Sequence, residues 1–219
     1  LQVKQNLFSE LDAMTSLKTI LAISTSGFMA SQFSAHLTGR NRVLVAHPVN
    51  PPHLVPRVEI SPSEWTDPHV TKATAAIMAS IDQTPVTLQK EIPGFILNRL
   101  QGAMLNEALR LAQGGFATVD DIDKTVRDGL GLRWSFMGPF ETIDLNAPGG
   151  LADYAKRYGQ MYQNMAQEQS QPPNWDEEAM APLHHARRVE LTMDRVARRQ
   201  YWRDRQLAAL AAHKQKQRL

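Results

Sequence analysis

The amino-acid sequence predicts an α/β layer followed by an all-helical domain. Short apolar runs rich in β-branched residues alternate with helical patterns up to about residue 90, and this alternation is typical of an α/β layer. From Pro93 onward only helical spacing remains. The 219 residues, 42% of them hydrophobic and 21% charged, are enough to bury a core. We therefore expect an α/β part over residues 1–90 and a helical domain over residues 91–219.

The α/β part is expected to begin with a helix, because four apolar residues recur at helical spacing with Phe8 beside them, namely Val3, Leu7, Leu11 and Met14. No capping residue precedes this helix, so we expect the sequence to begin inside a domain. Apolar runs predict strands at 18–25, 42–46, 57–60 and 84–89. A helix is predicted over 67–81, and residues 28–38 are a short helix or irregular. The HPVNPP segment at 47–52 is expected to be irregular, because its three prolines remove three backbone donors.

The helical part is expected to open with a long buried helix that ends at Gly114-Gly115. Its apolar positions recur at helical spacing, namely Ile96, Leu100, Ala103, Leu105, Ala108 and Leu111. Thr118, with the carboxylate of Asp121 three positions later, predicts the start of another helix. Helical patterns continue over 150–169 and about 176–199, and we interpret the polar break between them as a linker.

Composition excludes several classes of site. The chain has no cysteine, which excludes disulfides, thiolate zinc sites, iron–sulfur clusters and cysteine nucleophiles. We expect no metal site, because HExxH is absent and the adjacent His184 and His185 do not share a helix face. No GxSxG elbow supports a serine hydrolase. No apolar run has the roughly 20 residues of a membrane helix and no signal peptide opens the sequence, so a cytoplasmic protein is expected.

Positive charge is concentrated near the C-terminus. The whole chain has 24 Lys/Arg and 22 Asp/Glu, whereas residues 184–219 contain ten of the basic and three of the acidic residues. A basic extension from about residue 170 can contact nucleic acid or an anionic surface, and Tyr201 and Trp202 among its arginines could stack on bases. A solvated helix that packs on a partner or on its own domain explains the same charges, and we favour it.

His47 and Glu59 are the strongest candidates for chemistry. His47 follows a predicted buried strand, and chemistry in open α/β sheets lies at strand ends. Histidine is the residue type most often used as a general acid or base at neutral pH. If the strands before and after the proline-rich turn lie side by side, Glu59 approaches the imidazole and fixes its tautomer. The alternatives are a structural histidine and an exposed carboxylate on a short edge strand.

Two polar residues are weaker candidates on their own. Ser26 lies in an STSG turn just after a predicted strand, where its hydroxyl can donate to a substrate oxygen or a cofactor, although a turn or cap role explains it equally well. Asn98 interrupts the apolar start of the long helix. A buried amide there needs hydrogen-bond partners, which a substrate, the catalytic pair or the local backbone can supply.

Together these segments resemble the 3-hydroxyacyl-CoA dehydrogenase family. The resemblance rests on six segments that occur in order over residues 1 to about 160: STSG, HPVNP, VEI, EIPGFILNRL, DIDKTVRDGLG and MGPFETID. EIPGFILNR is a specific signature of the family. HPVNPP and GLGLRWSFMGPFETIDLN look most like the branch that contains lambda-crystallin and L-gulonate 3-dehydrogenase. The extension after about residue 170 lies outside the resemblance.

The resemblance implies an NAD-dependent dehydrogenase with two domains. The first is the C-terminal part of a Rossmann NAD-binding domain, and the second is a helical, 6-phosphogluconate-dehydrogenase-like domain that dimerises. The family's catalytic histidine and paired glutamate fall on His47 and Glu59, and its substrate-contacting serine and asparagine on Ser26 and Asn98. Ser26 also faces the cofactor, and a family lysine near NAD falls on Lys4. The expected partners are a small-molecule substrate and a second copy of the chain.

Two departures from the family pattern affect these expectations. The GxGxxG unit that holds the pyrophosphate is absent, so we expect an N-terminally truncated sequence whose residues alone neither bind NAD tightly nor turn over. Acyl-CoA members usually have bulky residues after the catalytic histidine, where this sequence has Pro48 and Val49, which favours a small hydroxy acid over a fatty acyl-CoA. The alternatives are a non-catalytic, crystallin-like structural protein and a binding module based on the basic extension.

Overall fold

The computed structural model describes residues 1–217 and divides them into two compact units. The first contains Leu1–Gly102 and Asp204–His213, and the second contains Ala103–Arg203 and the residues from Lys214. The predicted fold class, an α/β part followed by helices, is confirmed. The boundary predicted at residue 90 stays a prediction, because the helix that follows it belongs partly to each unit.

The first unit is built on a four-stranded sheet with the strand order β1-β2-β3-β4. β1 runs parallel to β2, β3 runs antiparallel to β2, and β4 runs parallel to β3. The strands are β1 (Leu21–Ile23), β2 (Val43–Pro48), β3 (Arg57–Pro62) and β4 (Thr84–Thr87), and the helices beside them are α1 (Gln2–Met14), α2 (Ala30–Ser34) and α3 (Pro68–Ser80). A 3-10 turn, Arg40–Arg42, leads into β2.

The helices after the sheet begin with α4 (Phe95–Gln113), whose predicted end is confirmed by Gly115 at φ +69°. The Thr118 cap is also confirmed, because its hydroxyl oxygen accepts from the Asp121 N–H at 3.1 Å. The other helices are α5 (Val119–Lys124), the π-helical turn Thr125–Leu130, α6 (Gly131–Trp134), α7 (Pro139–Leu145), α8 (Gly150–Glu168), α9 (Glu177–Glu190), the 3-10 turn Met193–Arg195 and α10 (Val196–Gln217). None of these described helices has both the length and the apolar composition needed to cross a bilayer.

The sheet is buried on both faces, which explains the continuous apolar run in β2. Val43 and Val45 point to one face, where they pack with Phe8, Phe33 and Phe95. The intervening residues of β2 point to the other face, which packs with Val58, Ile60 and Val70. Side chains alternate between the two faces along a strand, so the side chain of His47 lies on the same face as those of Val43 and Val45.

The apolar face predicted for α1 is wrong for three of its four residues. Val3, Leu7 and Met14 are exposed, whereas Phe8 is buried and Leu11 packs beside it against the core. The helix is rotated so that its largest apolar side chain enters the core, because burying an aromatic ring removes more apolar surface from water than burying the smaller side chains.

The expectation that the whole of HPVNPP is irregular is also wrong. β2 continues through His47 to Pro48, and the Val49 N–H still bonds the Arg57 carbonyl at 3.0 Å. Pairs of facing residues in an antiparallel sheet alternate between hydrogen-bonded and non-hydrogen-bonded pairs, and Pro48 and Val58 form a non-hydrogen-bonded pair. The missing N–H of Pro48 therefore removes no hydrogen bond between β2 and β3. The parallel pairing with β1 ends earlier, at Val45, so no donor is required on that side.

The long helix α4 is less buried than predicted. Ile96, Leu100 and Leu105 are exposed, whereas Phe95, at the first position of α4, and Leu109 are buried. Apolar periodicity marks the face of a helix that another surface can cover, but it does not show that residues of the same chain cover it. The prediction of a long helix is therefore right, and the prediction of its burial is wrong.

The polar break between α8 and α9 is irregular, as predicted, and it is anchored to α4. The Arg110 guanidinium donates to the carbonyls of Gln169 at 3.1 Å and Gln171 at 2.7 Å. Gln113 donates to the Asn174 carbonyl at 2.7 Å. This connection is therefore held by side chains one helical turn apart on α4, instead of acting as a free linker.

An ion pair between Asp12 and Arg42 ties α1 to the start of β2. The side chains are almost fully buried, and Arg42 Nη2 lies 2.7 Å from Asp12 Oδ1. The Gly39 N–H also donates to Asp12, and a Cβ at Gly39 would lie 2.3 Å from the carboxylate, so this position requires glycine. Burial raises the pKa of the Asp12 carboxyl, but the hydrogen bonds from Gly39 and Arg42 outweigh it and hold that pKa below its usual value.

We expect the free energy of unfolding to fall in acid partly through Asp12. Because its pKa is lower in the folded chain than in the unfolded one, its contribution is complete above about pH 4 and is lost as the pH falls through the folded value. Thermal unfolding of wild type and Asp12→Asn between pH 3 and pH 7 tests this. The difference in stability between the two should shrink towards pH 3, and a difference that stays constant with pH would contradict it.

Candidate active site

The carboxyl ends of β1 and β2 lie at the same edge of the sheet, because the two strands are parallel. His47 lies near the end of β2, and Ser26 lies in the loop after β1. β3 runs in the opposite direction, so its first residues are at this edge too. An edge of this kind is where open α/β sheets bind ligands.

His47 and Glu59 form a buried pair across β2 and β3. They are direct partners in the antiparallel register, and His47 Nδ1 lies 3.0 Å from Glu59 Oε2. The exposed fraction is 6% for His47 and 1% for Glu59. The predicted strand–turn–strand arrangement therefore brings the two side chains together, and it excludes the alternative of an exposed carboxylate on an edge strand.

The second oxygen of Glu59 caps α4. Glu59 Oε1 accepts from the backbone N–H of Ile96 at 3.0 Å and of Leu97 at 2.9 Å. These first-turn amides have no acceptor within their own helix, and a carboxylate is electrostatically favoured at a helix N-terminus. The carboxylate is thus held from two sides, and its charge is satisfied by three donors when Nδ1 carries its proton.

The Nε2 atom of His47 is on the opposite side of the ring from Glu59. Among residues 1–217 it has no hydrogen-bond partner. With Nδ1–H donated to Glu59, Nε2 is an acceptor that can take a proton from a ligand. Glu59 also stabilises the imidazolium that such a transfer produces.

Asn98 and Ser26 are in contact through the side chain of Asn98 and the backbone of Ser26. The Asn98 amide nitrogen donates to the Ser26 backbone carbonyl at 2.8 Å. The Ser26 hydroxyl is exposed and has no hydrogen-bond partner in the described part of the chain. The contact fixes α4 against the loop after β1 and leaves the hydroxyl and the amide oxygen of Asn98 available to a ligand.

Lys4 lies on α1 near the same loop. It is half-buried, and its Nζ lies 5.7 Å from the centre of the Phe28 ring, two residues beyond Ser26. This cation–π distance fixes the ammonium beside the loop that follows β1. The structure therefore places Lys4 beside Phe28 in the loop that follows β1, and gives no direct contact between Lys4 and the pair formed by His47 and Glu59.

Phe95 is a residue of the site that the sequence did not predict. Its side chain is fully buried, and its ring centre lies 5.1 Å from that of His47 at an angle of 38°. The Pro93-Gly94 pair before it predicts a turn, but periodicity gives no sign of which core residue that turn presents. Arg57, half-buried at the start of β3, was also missed, and its side chain has no hydrogen bond or ion pair within residues 1–217.

The sheet with its flanking helices, followed by a helical part, is a Rossmann-like fold, and the His–Glu pair lies at the edge where such sheets bind ligands. The chain belongs to the 3-hydroxyacyl-CoA dehydrogenase family. Residues 1–92 match the family's NAD binding domain, and residues 94–190 match its C-terminal domain.

Named relatives and solved structures agree with this assignment. The chain is 40% identical over 213 residues to the lambda-crystallin homologue of Bos taurus, covering 96% of this chain and 66% of the relative. It is 39% identical over 160 residues to L-carnitine dehydrogenase of Streptomyces griseus, covering 73% and 48%. A 3-hydroxyacyl-CoA dehydrogenase of Archaeoglobus fulgidus has a TM-score of 0.67 at 28% identity, covering 80% and 59%. The chain thus spans about two thirds of the lambda-crystallin homologue.

The prediction that the extension after residue 170 lies outside the resemblance is wrong. A match that covers 96% of the chain leaves out only about nine of its 219 residues, so it includes α9 and most of α10. Charged, Gln-rich helices diverge readily in sequence because they bury few side chains, so the family segments recognised by motif end before them. Most of the basic extension therefore belongs to the fold that the relatives share.

The residues present fit the nicotinamide end of a dinucleotide better than its pyrophosphate. Ser26 and Lys4 line the loop after β1, and His47 lies at the adjacent strand end. The backbone cradle of a Gly-rich turn at a helix N-terminus, which holds the pyrophosphate, is absent from residues 1–217. The family model that matches residues 1–92 nevertheless describes an NAD-binding domain.

Proposed function

We propose that the natural protein containing this chain is an NAD-dependent dehydrogenase that oxidises the 3-hydroxyl group of a hydroxy acid or hydroxyacyl-CoA to a ketone. The observation that carries the proposal is the buried pair of His47 and Glu59 at the ligand-binding edge of the sheet, 3.0 Å apart. A histidine held in this way is suited to removing a proton from a bound alcohol.

In the proposed mechanism, each residue of the site has its own role. His47 Nε2 takes the hydroxyl proton as the oxygen becomes a carbonyl, and Glu59 balances the positive charge that forms on the ring. The Ser26 hydroxyl and the Asn98 side chain bind the substrate oxygen and orient its carbon. Lys4 and Ser26 line the cofactor side of the loop after β1. NAD, when bound, supplies the acceptor for the hydride that leaves this carbon.

The proposed substrate is a small free 3-hydroxy acid, such as L-gulonate. Pro48 and Val49 follow His47 where acyl-CoA enzymes of the family usually have bulky residues. Arg57 lies two positions from Glu59 on the same strand, and therefore on the same face of β3 and at the same edge of the sheet. Its half-buried, unpaired guanidinium suits a substrate carboxylate. L-carnitine, named for one group of relatives, is also a free 3-hydroxy acid.

A homodimer is part of the proposal. The second unit exposes several large apolar side chains that a second copy could cover, namely Phe116, Leu132, Phe136, Phe140 and Leu145. We also propose a cytoplasmic location for the protein. A contact between the basic extension and nucleic acid is not part of the proposal.

The function is tested by following NAD reduction in the complete natural protein with L-gulonate, L-carnitine, 3-hydroxybutyrate and 3-hydroxybutyryl-CoA. We expect reduction with at least one free acid, and we expect Arg57→Gln to raise KM for that acid about tenfold. Lys72→Gln, which changes an exposed cation on α3, is the control and should leave KM unchanged. No reduction with any substrate would contradict the proposal and favour a crystallin-like structural role.

A further inference from the structure

The turn that precedes α4 has an unusual backbone. Gly94 has φ +78° and Phe95 has φ +54°, so two consecutive residues adopt left-handed conformations. Glycine tolerates this region, but a bulky aromatic residue rarely occupies it. A conformation of this kind persists only where the surrounding structure determines it, and such positions cluster at functional sites.

The left-handed backbone of Phe95 determines where α4 begins. The next two residues, Ile96 and Leu97, point their N–H groups at Glu59 Oε1, at 3.0 and 2.9 Å. A residue in the ordinary helical region at position 95 would extend the helix backward and rotate these amides away from the carboxylate. The turn therefore connects the start of α4 to the residue that holds His47.

The side chain of Phe95 determines the surroundings of the imidazole. The ring is fully buried among the core residues of its face of the sheet, and it lies 5.1 Å from the His47 ring. A flat, immobile group at this distance limits rotation of the imidazole about its own axis. It also keeps water away from one side of the bond between His47 and Glu59, which strengthens that bond.

We propose that Phe95 is a positioning residue for the pair formed by His47 and Glu59, acting on His47 through its ring and on Glu59 through its backbone. Asn98 lies one turn further along α4, so the same turn sets the position of this residue relative to His47. The inference rests on the proposed function of the pair. It assigns the positioning of His47 and Glu59 to Phe95, a residue whose side chain has no polar group that could bind a substrate.

The test measures exchange of the His47 Nδ1 proton with water by NMR in the chain itself, which needs no turnover. Phe95→Leu retains a similar apolar volume and removes the ring. The matched control is Phe33→Leu, because Phe33 is equally buried in the same cluster and pairs with Phe8 at 4.8 Å. We expect both variants to lower the melting temperature, and we expect exchange to become about tenfold faster in Phe95→Leu alone.

Equal exchange rates in the two variants would overturn the proposal, because Phe95 would then be an ordinary core residue. If Phe95→Leu does not fold, Phe95→Met supplies a flexible side chain of similar size for the same comparison. In the complete natural protein, Phe95→Leu should lower kcat about tenfold with KM nearly unchanged. If wild type shows no NAD-linked turnover, the proposed function fails, while the exchange measurement still decides whether Phe95 positions His47.

Discussion

Replacement of His47 by glutamine is expected to lower kcat/KM of the complete natural protein by about a thousandfold. Glutamine can still donate a hydrogen bond towards Glu59 and fills much of the same space, but it cannot accept a proton at neutral pH. The measurement is the steady-state rate of NAD reduction with the best substrate, compared between the wild type and the variant.

His53→Gln is the matched control for this experiment. His53 lies in the loop that follows β2 and is exposed, so the same change of residue type occurs within a few residues of the site. We expect its kcat/KM to stay within about twofold of wild type. Near-normal turnover in His47→Gln would contradict the assignment of the base, whereas equal losses in both variants would show that the effect is not specific to His47.

Removal of the Glu59 carboxylate is expected to produce the largest loss of stability. Glu59→Ala leaves the two first-turn amides of α4 and His47 Nδ1 without their acceptor in a buried site. Removing a buried carboxylate while its hydrogen-bond donors stay in place lowers the free energy of unfolding by about 3–5 kcal/mol. Chemical denaturation of the chain measures this loss, and Glu64→Ala, at an exposed position just after β3, should change the same quantity by less than about 0.5 kcal/mol.

Glu59→Gln separates the structural role of this residue from its chemical role. The N–H groups of Ile96 and Leu97 require an acceptor, so the amide oxygen must face α4 and the amide NH2 group must face His47. An NH2 donor makes Nδ1 the acceptor, which moves the proton of the neutral imidazole to Nε2 and removes the base. We expect Glu59→Gln to retain most of the stability and to lose about a hundredfold or more in kcat. Full activity in this variant would contradict the role given to Glu59.

The site could be predicted from the sequence where local patterns determine it. The strands before and after the proline-rich turn lie side by side, which was a condition of the sequence-based prediction, and His47 and Glu59 are direct partners in their register. The Thr118 cap and the glycine end of α4 are equally local, and both are confirmed. In each case, the residues that contact one another are at most twelve positions apart in the sequence.

Other features could not be predicted because they depend on contacts between distant residues. The apolar spacing of α1 fits two faces, and only packing against the sheet selects the one that buries Phe8. The second hydrogen-bonding role of Glu59 joins residues 37 and 38 positions apart. Phe95 belongs to an apolar stretch, and nothing local shows that its backbone is left-handed or that its ring meets His47.

The tautomer of His47 is the most direct measurement of whether this pair can act as a base. Nitrogen-15 NMR of the chain at a pH where the imidazole is neutral distinguishes a protonated Nδ1 from a protonated Nε2. The hydrogen bond to Glu59 predicts a proton on Nδ1 and a bare Nε2 that is ready to accept the proton of an alcohol. A proton on Nε2 would contradict the proposed mechanism, because the ring could then only donate towards the substrate.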